Sequence, residues 1–387
     1  PSLRLCKIAN NRPCYFLFLT DYLSTMRIGF DAKRAFHNYT GLGNYSRNVI
    51  QALCTYHPEN DYLLFTPGAS DVAFKPAHAR IIQPDSGWSF TWRSYGIIRQ
   101  LMKEQVQVFH GLSNELPFTL KGSGIKSVVT IHDVIFRHYP HAYTAIDRTI
   151  YNYKTRQAVQ QADIIVASSA ATAHDLAALY GVEKDSIQVI YPILQDIFYE
   201  DAEVESPAIN LPAQFLLFAG LGNERKNLEL AISMIEALPK GERIPFVVTG
   251  GKGKYGDEMK GLINRKNLNK YFIFLESCTE LQMKYLYNHA TLLFYPSLYE
   301  GFGMPVAEAL LCDCPVIASS TSSIPEAGGT AALYCAPDDV DAAMDAYRTI
   351  TANSDWKKEF IERARTEVQR FDRSLLAGQW NTLYASL

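Results

Sequence analysis

Short apolar runs alternate with longer amphipathic patterns from Met26 to the end of this 387-residue chain. Such runs are typical of buried strands, and the patterns between them, for example 45–53 and 144–161, are typical of helices. Regular alternation of the two predicts parallel sheets covered by helices, which is the α/β class. The predicted strands are 28–30, 62–65, 108–110, 128–132, 164–168, 215–219, 246–249, 272–275, 292–295 and 316–319.

The alternation stops once, at a polar stretch with two prolines, and then restarts. We predict that this stretch, 201–212, is a linker, because exposed segments of this composition separate domains. The chain is long enough for two domains of ordinary size. We therefore expect two doubly wound domains, 26–200 and 213–372, that face a central cleft. The helical pattern at 373–387 is expected to pack back toward the first domain.

The first 25 residues differ from the rest of the chain. Three cations precede a short apolar patch at 14–19, which Asp21 interrupts. A signal peptide is one interpretation, but the apolar core is short and no clear cleavage site follows. Because Met26 opens the first predicted strand, we expect residues 1–25 to be an extension that is not native. No apolar stretch reaches the about 20 residues of a membrane span.

Charge and cysteine content argue against two further classes of function. A net charge of −3 gives no support for nucleic-acid binding, which requires a basic surface. The seven cysteines are odd in number and irregular in spacing, and no CxxC pair occurs. We therefore favour reduced structural thiols over a disulfide framework or a metal site.

Two carboxylates, Glu300 and Glu308, flank a glycine loop in the second half of the chain. A buried strand is predicted before them. A helix that Pro305 can open is predicted after the loop, with Glu308 expected in its first turn. Backbone amides at a helix start can hold phosphate, and carboxylates can accept hydrogen bonds from sugar hydroxyls. This segment predicts a site for an anionic, hydroxyl-rich ligand.

Two cations, Arg225 and Lys226, follow a strand and precede a helix. Cations near a helix start oppose the helix dipole, which favours a functional reason such as stabilising a departing diphosphate. The alternative is a solvated pair of loop cations. Gly250 and Gly251 end the next strand and would allow close approach of a nucleotide, although a plain turn explains them nearly as well.

Two patterns in the first half of the chain also lie at predicted strand ends. The turn that contains Gly43 precedes a helix, where glycines let a phosphate or sugar approach the backbone; it lacks the third glycine of a dinucleotide fingerprint. His132 and Asp133 end another strand, where a histidine can bind a sugar hydroxyl and help neutralise phosphate. A structural histidine with satisfied hydrogen bonds is the alternative.

Two weaker patterns have ordinary explanations. Asp339 and Asp341 match the DxD form of a metal motif, but they begin a helical pattern, so helix capping explains them better and we assign no metal. The segment 88–103 mixes aromatic and basic residues. It suits contact with an acceptor or a membrane surface, and equally a half-buried helix. Its members are Trp88, Phe90, Trp92, Arg93, Tyr95, Arg99 and Lys103.

Taken in order, these patterns resemble the E-x7-E signature and accompanying motifs of the retaining glycosyltransferases of family GT4, which have the GT-B fold. The resemblance covers nearly all of the chain after Met26. It implies two Rossmann-like domains around a cleft. Its remaining motifs are the segments 168–172, 225–227 and 322–326.

The resemblance also implies roles for residues of the glycine loop. Glu308 would bind the ribose hydroxyls of the nucleotide, and Glu300 would contact hydroxyls of the transferred sugar. Backbone amides of Phe302, Gly303 and Met304 would bind the sugar and the distal phosphate.

Residues from other segments would complete the site that the resemblance implies. Arg225 and Lys226 would clamp the diphosphate, His132 would touch the sugar and the reacting phosphate, and Gly43 would lie near the diphosphate. Many relatives carry an arginine where this chain has Leu221, so the clamp is expected to depend more on Arg225 and Lys226.

The activity that follows from the resemblance is transfer of a hexose from a nucleotide-sugar to a glycan or lipid-linked acceptor in polysaccharide biosynthesis. Mannose from GDP-mannose is the first expectation, with UDP-linked hexoses next. No metal or other cofactor is expected. The expected location is the cytoplasm, with peripheral contact at the cytoplasmic face of the membrane. A sugar-nucleotide epimerase of the same fold and a non-catalytic sugar-nucleotide binder are the alternatives.

Overall fold

The structure is a computed structural model that describes residues 25–70, 72–85, 91–200, 204–352 and 356–387. Most of the predicted N-terminal extension and the start of the predicted linker lie outside the described residues. So do Trp88 and Phe90 of the aromatic-basic segment.

Within the described residues, seven strands form the first sheet, and all of its neighbouring pairs are parallel. Their order across the sheet is β3-β2-β1-β4-β5-β6-β7. These strands are β1 Arg27–Asp31, β2 Asp61–Phe65, β3 Ala79–Ile82, β4 Val108–Gly111, β5 Lys126–Ile131, β6 Ile164–Ala167 and β7 Ile187–Val189. The helices of this half are α1 Lys33–His37, α2 Gly41–Tyr56, α3 Ile97–Lys103, α4 Ile135–His138, α5 Ala145–Gln161, α6 Ala170–Tyr180 and α7 Asp196–Tyr199.

The second sheet has six parallel strands in the part of the chain that is described, in the order β10-β9-β8-β11-β12-β13. These are β8 Leu216–Leu221, β9 Phe246–Gly250, β10 Phe272–Leu275, β11 Leu292–Tyr295, β12 Val316–Ser319 and β13 Leu333–Cys335. The helices are α8 Leu228–Ala237, α9 Lys254–Arg265, α10 Glu280–His289, α11 Met304–Leu311, α12 Ile324–Gly328, α13 Val340–Ala352, α14 Trp356–Glu367 and α15 Arg373–Ala385.

Each of the ten predicted strands coincides with an observed strand, so the α/β prediction is confirmed. Three further strands, β3, β7 and β13, were not predicted. Each lies at an edge of its sheet and has three or four residues, several of them partly exposed. Edge strands lack the continuous apolar run of a strand that is buried on both faces, which explains why pattern reasoning misses them.

The two sheets share one topology, and this topology determines where a site can lie. In each sheet the strand order reverses between the first and fourth strand, β1 and β4 in one and β8 and β11 in the other. In open α/β sheets, ligands bind beyond the carboxyl ends of the strands at such a reversal. The loops after these four strands are therefore the first place to look for a site.

The last helix, α15, packs against the first sheet although it follows the second in sequence. Trp380 and Tyr384 are buried in the core of the first half. The Tyr384 hydroxyl lies 2.7 Å from Nδ1 of buried His110, and Asn60 donates to Asn381 at 2.8 Å. The end of the chain thus stabilises the first domain through apolar burial and buried hydrogen bonds.

Candidate active site between the two sheets

The loops after β8 and β11 bring two cations to one carboxylate. Nη1 of Arg225 and Nζ of Lys226 lie 2.6 and 2.7 Å from Oε1 of Glu300. Lys226 also donates to the Tyr295 hydroxyl at 2.9 Å. We call Arg225, Lys226 and Glu300 the charged cluster; its three side chains are 11–15% exposed. Its formal charge of about +1 suits a diphosphate better than a neutral ligand.

The backbone of Glu300 is held by two serines that follow β12. Its amide donates to Oγ of Ser322 at 2.9 Å, and its carbonyl accepts from Oγ of Ser323 at 2.8 Å. Although burial disfavours the charged carboxylate, Lys226 and Arg225 hold the pKa of Glu300 down at about 2. The carboxylate is therefore ionised throughout the neutral range, and its position is fixed from both sides.

Separate tasks were predicted for Glu300 and for the cation pair, but the structure places them in direct contact. Any ligand contact of Glu300 would therefore be made while its carboxylate also holds the two cations. The alternative of a solvated loop pair is wrong, since both cations are largely buried in the cluster. Leu221 is 3% exposed and belongs to β8.

The glycine loop after Glu300 presents backbone amides at the start of α11. Among the described residues, none accepts a hydrogen bond from the amides of Phe302, Gly303 or Met304. Gly303 has φ of +107°, a conformation that glycine adopts without strain. The Phe302 side chain is buried against Tyr191 at a ring distance of 5.3 Å. Free amides at a helix start form an anion site.

Glu308 lies in the second turn of α11, because the helix begins at Met304; the prediction of the first turn was wrong. Its Oε2 accepts a hydrogen bond of 2.9 Å from Tyr287. Burial raises the pKa of Glu308 to about 7. The side chain lines a cavity of about 770 Å³ that Tyr39 and Asn44 enter from the first half of the chain.

Gly250 and Gly251 have a structural reason to be glycine. Their φ values are +87° and +86°. A Cβ on Gly250 would lie 2.6 Å from the carbonyl oxygen of Leu221, and the Gly251 amide donates to that same oxygen at 2.7 Å. The turn interpretation therefore explains both residues, and the structure adds no support for nucleotide contact.

In the first domain, the hydrogen bond and the burial of His132 make it the neutral tautomer that is protonated on Nε2. Its Nε2 lies 2.8 Å from the carbonyl oxygen of Leu112, which can only accept, so Nε2 carries the proton. Burial lowers the pKa of His132 to about 4. Nδ1 therefore remains an acceptor at neutral pH. His132 and Asp133 line a cavity of about 220 Å³, with Tyr143 and Tyr151 among its walls.

The predicted turn before the helix is itself the first turn of α2, which begins at Gly41, and the close contact of Gly43 is internal. A Cβ there would lie 1.9 Å from the carbonyl oxygen of Asn38, and its amide donates to Thr40 at 2.9 Å. Gly41 faces the second domain instead, since a Cβ there would lie 3.1 Å from Cε of Met304. The glycine turn and the glycine loop are therefore adjacent.

A set of interdomain hydrogen bonds, which we call the clasp, holds the glycine loop against His132. The Ser168 hydroxyl lies 2.7 Å from the His132 carbonyl oxygen and 3.1 Å from that of Gly301, and Thr172 contacts both as well. Glu326 of the second domain accepts from the amides of Ala170 and Ala171, at 2.7 and 2.8 Å. The clasp comprises Ser168, Thr172, Gly301 and Glu326.

Gly301 must be glycine for this contact, because a Cβ would lie 2.3 Å from the His132 carbonyl oxygen. Tyr299, also in the glycine loop, donates to Asp175 of α6 and stacks on His138 at a ring distance of 4.7 Å. These contacts bring the two strand-end segments together into one site.

Sequence reasoning assigned no role to the clasp residues. The segments 168–172 and 322–326 were noticed only for their order along the chain. The available signal was Ser169, a serine at a strand end, which is a preferred residue for beginning a helix. The first amides of such a helix need acceptors, but the sequence does not show that the carboxylate of Glu326 supplies them. Tyr287 and Tyr295 are the hydroxyl partners of Glu308 and Lys226. No sequence pattern indicates a functional role for either tyrosine.

Three other expectations can be compared with the structure. Asp339 caps α13 through a 2.9 Å bond from the Ala342 amide, as the capping interpretation predicted. In the described ranges, no group of three His, Cys, Asp or Glu is arranged for a metal ion. Over the same ranges, the helices are too short or too polar for any of them to cross a membrane.

Comparison with known proteins covers both halves of the chain. The family model described as "Glycosyltransferase Family 4" matches residues 39–194, and "Glycosyl transferases group 1" matches residues 200–367.

Relatives of known name include O-antigen chain mannosyltransferase B from Escherichia coli, 26% identical over 89% of this chain and 96% of the relative. The O-antigen chain mannosyltransferase RfbU from Salmonella typhimurium is 25% identical, over 65% of this chain and 68% of the relative.

Solved structures share the fold at lower identity. Sucrose-phosphate synthase from Thermosynechococcus elongatus superposes with a TM-score of 0.71 at 20% identity, over 93% of this chain and 98% of the other. Anabaena HepE, in complex with UDP and glucose, gives a TM-score of 0.69 at 16% identity, over 94% and 100%. With two Rossmann-like domains in the GT-B arrangement and family matches on both, the chain belongs to the family 4, group 1 glycosyltransferases.

Proposed function

We propose that this glycosyltransferase moves a mannosyl residue from GDP-mannose to a glycan or glycolipid acceptor, with retention of anomeric configuration. The observation that carries the proposal is the match over 96% of an O-antigen chain mannosyltransferase, combined with an intact charged cluster. UDP-linked hexoses are the next donor class, since the neighbouring HepE structure holds UDP and glucose.

The second domain supplies what a nucleotide-sugar donor needs. Breaking the bond between sugar and phosphate leaves negative charge on the diphosphate. Arg225 and Lys226 are positioned to stabilise that charge, together with the free amides at the start of α11. Glu308, in its cavity of about 770 Å³, would accept hydrogen bonds from the ribose hydroxyls once it is ionised.

The first domain supplies the face from which an acceptor approaches. Nδ1 of neutral His132 would accept a hydrogen bond from a hydroxyl of the transferred sugar. The adjacent cavity of about 220 Å³ has room for one sugar ring. Closing the domains across this space excludes water and so limits hydrolysis of the donor.

Retention is proposed to proceed by attack on the same face as the departing phosphate. Of the carboxylates that line the His132 cavity, Glu115 is bound by Arg93 at 2.7 Å and by Lys154 at 3.2 Å. Asp133 accepts from the Ile135 amide at 3.1 Å, and burial raises its pKa. Neither is set up as a free nucleophile. A glycosyl adduct trapped on Asp133 would overturn same-face attack.

Thermal unfolding with GDP, UDP and ADP tests the donor class, because selective binding raises the melting temperature. We expect the largest increase with GDP. A larger increase with UDP would redirect the donor assignment. Transfer from GDP-mannose, with the product anomer read by NMR, then tests the reaction. Epimerised donor formed without any acceptor would instead identify a sugar-nucleotide epimerase, and binding without turnover would identify a non-catalytic binder.

A further inference from the structure

Three aromatic rings form an exposed surface beside the His132 cavity. Tyr95 and Phe118 have ring centroids 5.3 Å apart, and Phe118 and Tyr153 are 5.9 Å apart. Tyr95 is 56% exposed and Tyr153 is 60% exposed, values unusual for neighbouring aromatic side chains. We call these three residues the aromatic platform.

The aromatic platform adjoins the cavity that His132 lines, because the two share wall residues through Phe118. Glu115 and Lys154 line that cavity and also a small hollow whose wall includes Phe118. Tyr153 precedes Lys154 on α5. A chain of sugar residues that leaves the cavity past the Glu115–Lys154 ion pair therefore reaches the aromatic platform next.

Two cations between the His132 cavity and the aromatic platform, Arg93 and Lys154, are paired with carboxylates of the protein. Arg93 lies 2.7 Å from both Asp31 and Glu115, and Lys154 pairs with Glu115 at 3.2 Å. An anionic partner would find this charge already compensated. The two exposed members of the platform are themselves neutral: phenol rings that offer a flat apolar face and a hydroxyl for hydrogen bonding.

We propose that the aromatic platform binds the second and third sugar residues of an oligosaccharide acceptor, counted from the residue that receives the transferred sugar. The proposal rests on the proposed transferase function and specifies its acceptor as a chain of at least two residues. Pyranose rings have apolar C–H faces that pack on Tyr95 and Tyr153, and their hydroxyls can bond to the phenol groups.

A lipid surface is the competing occupant. Ile146 and Ile150 precede Tyr153 on α5 by two turns and one turn, and they are 72% and 43% exposed. They extend the apolar surface away from the platform, as a membrane contact requires. The two occupants therefore make different predictions for the tyrosines and for the isoleucines.

The experiment uses the full chain and five variants: Tyr95→Ala, Tyr153→Ala, Ile146→Ser, Ile150→Ser and the control Tyr56→Ala. Tyr56 is also an exposed tyrosine, 41%, but it ends α2 about 24 Å along the helix from the glycine turn. Binding is measured to immobilised mannose oligosaccharides of one to four residues, and to vesicles that contain an anionic phospholipid. GDP-induced thermal stabilisation is measured on every variant.

We expect Tyr95→Ala and Tyr153→Ala to weaken binding of oligosaccharides with two or more residues by about three- to tenfold. Binding of a single residue should not change, and Tyr56→Ala and both isoleucine variants should bind glycans like the wild type. Equal binding by the tyrosine variants, or no glycan binding by the wild type, would overturn the platform. So would loss of vesicle binding in the tyrosine and isoleucine variants alike. GDP-induced thermal stabilisation tests the donor site separately. If the wild type shows no such stabilisation, the proposed function is contradicted rather than the aromatic platform.

Discussion

The two domains share one strand order but build their halves of the site by different means. Around the reversal in the second sheet, the groups are charged: Glu300 lies within 2.7 Å of both Arg225 and Lys226. In the first sheet, the central group is His132, which follows β5, the strand next to the reversal, and which burial keeps neutral. Its neighbours toward solvent include Tyr143 and Tyr151.

Under the proposed function, this difference corresponds to two kinds of ligand. A diphosphate carries charge that grows as the donor bond breaks, and preorganised cations lower that barrier. An acceptor hydroxyl is neutral and needs positioning more than charge. One topology thus serves two chemistries, because the loops beyond the strands vary independently of the sheet.

The largest effect is expected from a substitution in the charged cluster of the second domain. Lys226→Ala removes one of the two cations that we propose stabilise the leaving diphosphate, and we expect kcat to fall by about 10²–10³-fold. Arg225 still pairs with Glu300 at 2.6 Å, so the fold should persist. Steady-state transfer kinetics and circular dichroism measure the two effects. Lys254→Ala, at an exposed position in the same domain, is the control, and a variant at Lys226 with wild-type kcat would refute the assigned role.

The second-largest effect is expected from weakening the clasp, which holds the two domains together. Glu326→Gln weakens the two bonds to the amides of Ala170 and Ala171, and we expect kcat to fall about tenfold. Nucleotide binding should be retained, because the charged cluster does not include Glu326. Small-angle scattering with donor should show a more open average shape.

Glu367→Gln is the matched control for this prediction. Glu367 also accepts an amide hydrogen bond, from Thr330 at 2.7 Å, but within one domain. It should change stability without changing the scattering profile. If the Glu326 and Glu367 variants scatter identically in the presence of donor, the clasp does not govern closure.

More of the charged cluster in the second domain could be predicted from the sequence than of the clasp between the domains. Residues 225–226 and 300–308 follow strands in parallel sheets, and such strand ends meet at one edge, so proximity followed from local pattern. That Glu300 would pair with both cations could not be derived, because it depends on side-chain direction. Glu308 lies in the second turn of α11 because the helix begins at Met304, one residue before Pro305. Sequence patterns do not define the ends of helices that closely.

The clasp could not be predicted for a different reason. It joins a carboxylate of α12 to the start of α6 in the other domain, and their meeting depends on how two separate domains are oriented. Hydrophobic periodicity reports which face of a helix is buried but contains no information on that orientation. The packing of α15 differs in this respect, because the helical pattern at 373–387 does predict packing back toward the first domain. Trp380 and Tyr384 of α15 lie in the core of that domain.

A third prediction uses pH to change the charge of the donor half alone. Burial raises the pKa of Glu308 to about 7, so its carboxyl is largely protonated at pH 6. If ionised Glu308 accepts from ribose, nucleotide affinity should fall about tenfold between pH 8 and pH 6. Calorimetric titration across this range measures it, and Glu308→Gln should bind weakly with no such dependence. A wild-type affinity that is flat over this range would contradict the role.

Stability should respond to Glu308 in the opposite direction. Its folded pKa lies above the unfolded value, so the ionised carboxylate above pH 7 costs folding free energy. That cost disappears as pH falls from about 7 toward about 4.5. Glu308→Gln should therefore be more stable than the wild type at pH 8, on the order of 2 kcal/mol, with the difference shrinking at lower pH. Thermal unfolding at several pH values tests this trade between stability and donor binding.

The smallest effect is expected in the first domain, away from the site. Tyr384→Phe removes the hydroxyl that contacts His110 at 2.7 Å but keeps the buried ring. His110 is fully buried, and burial lowers its pKa to about 3, so Nδ1 would be left without its partner at neutral pH. We expect a loss of about 1 kcal/mol in the free energy of unfolding, measured by denaturant titration. GDP stabilisation should not change, because the donor half lies in the other domain. A drop in donor binding as large as the drop in stability would show that the two halves are coupled through α15, and would end the separation on which the comparison rests.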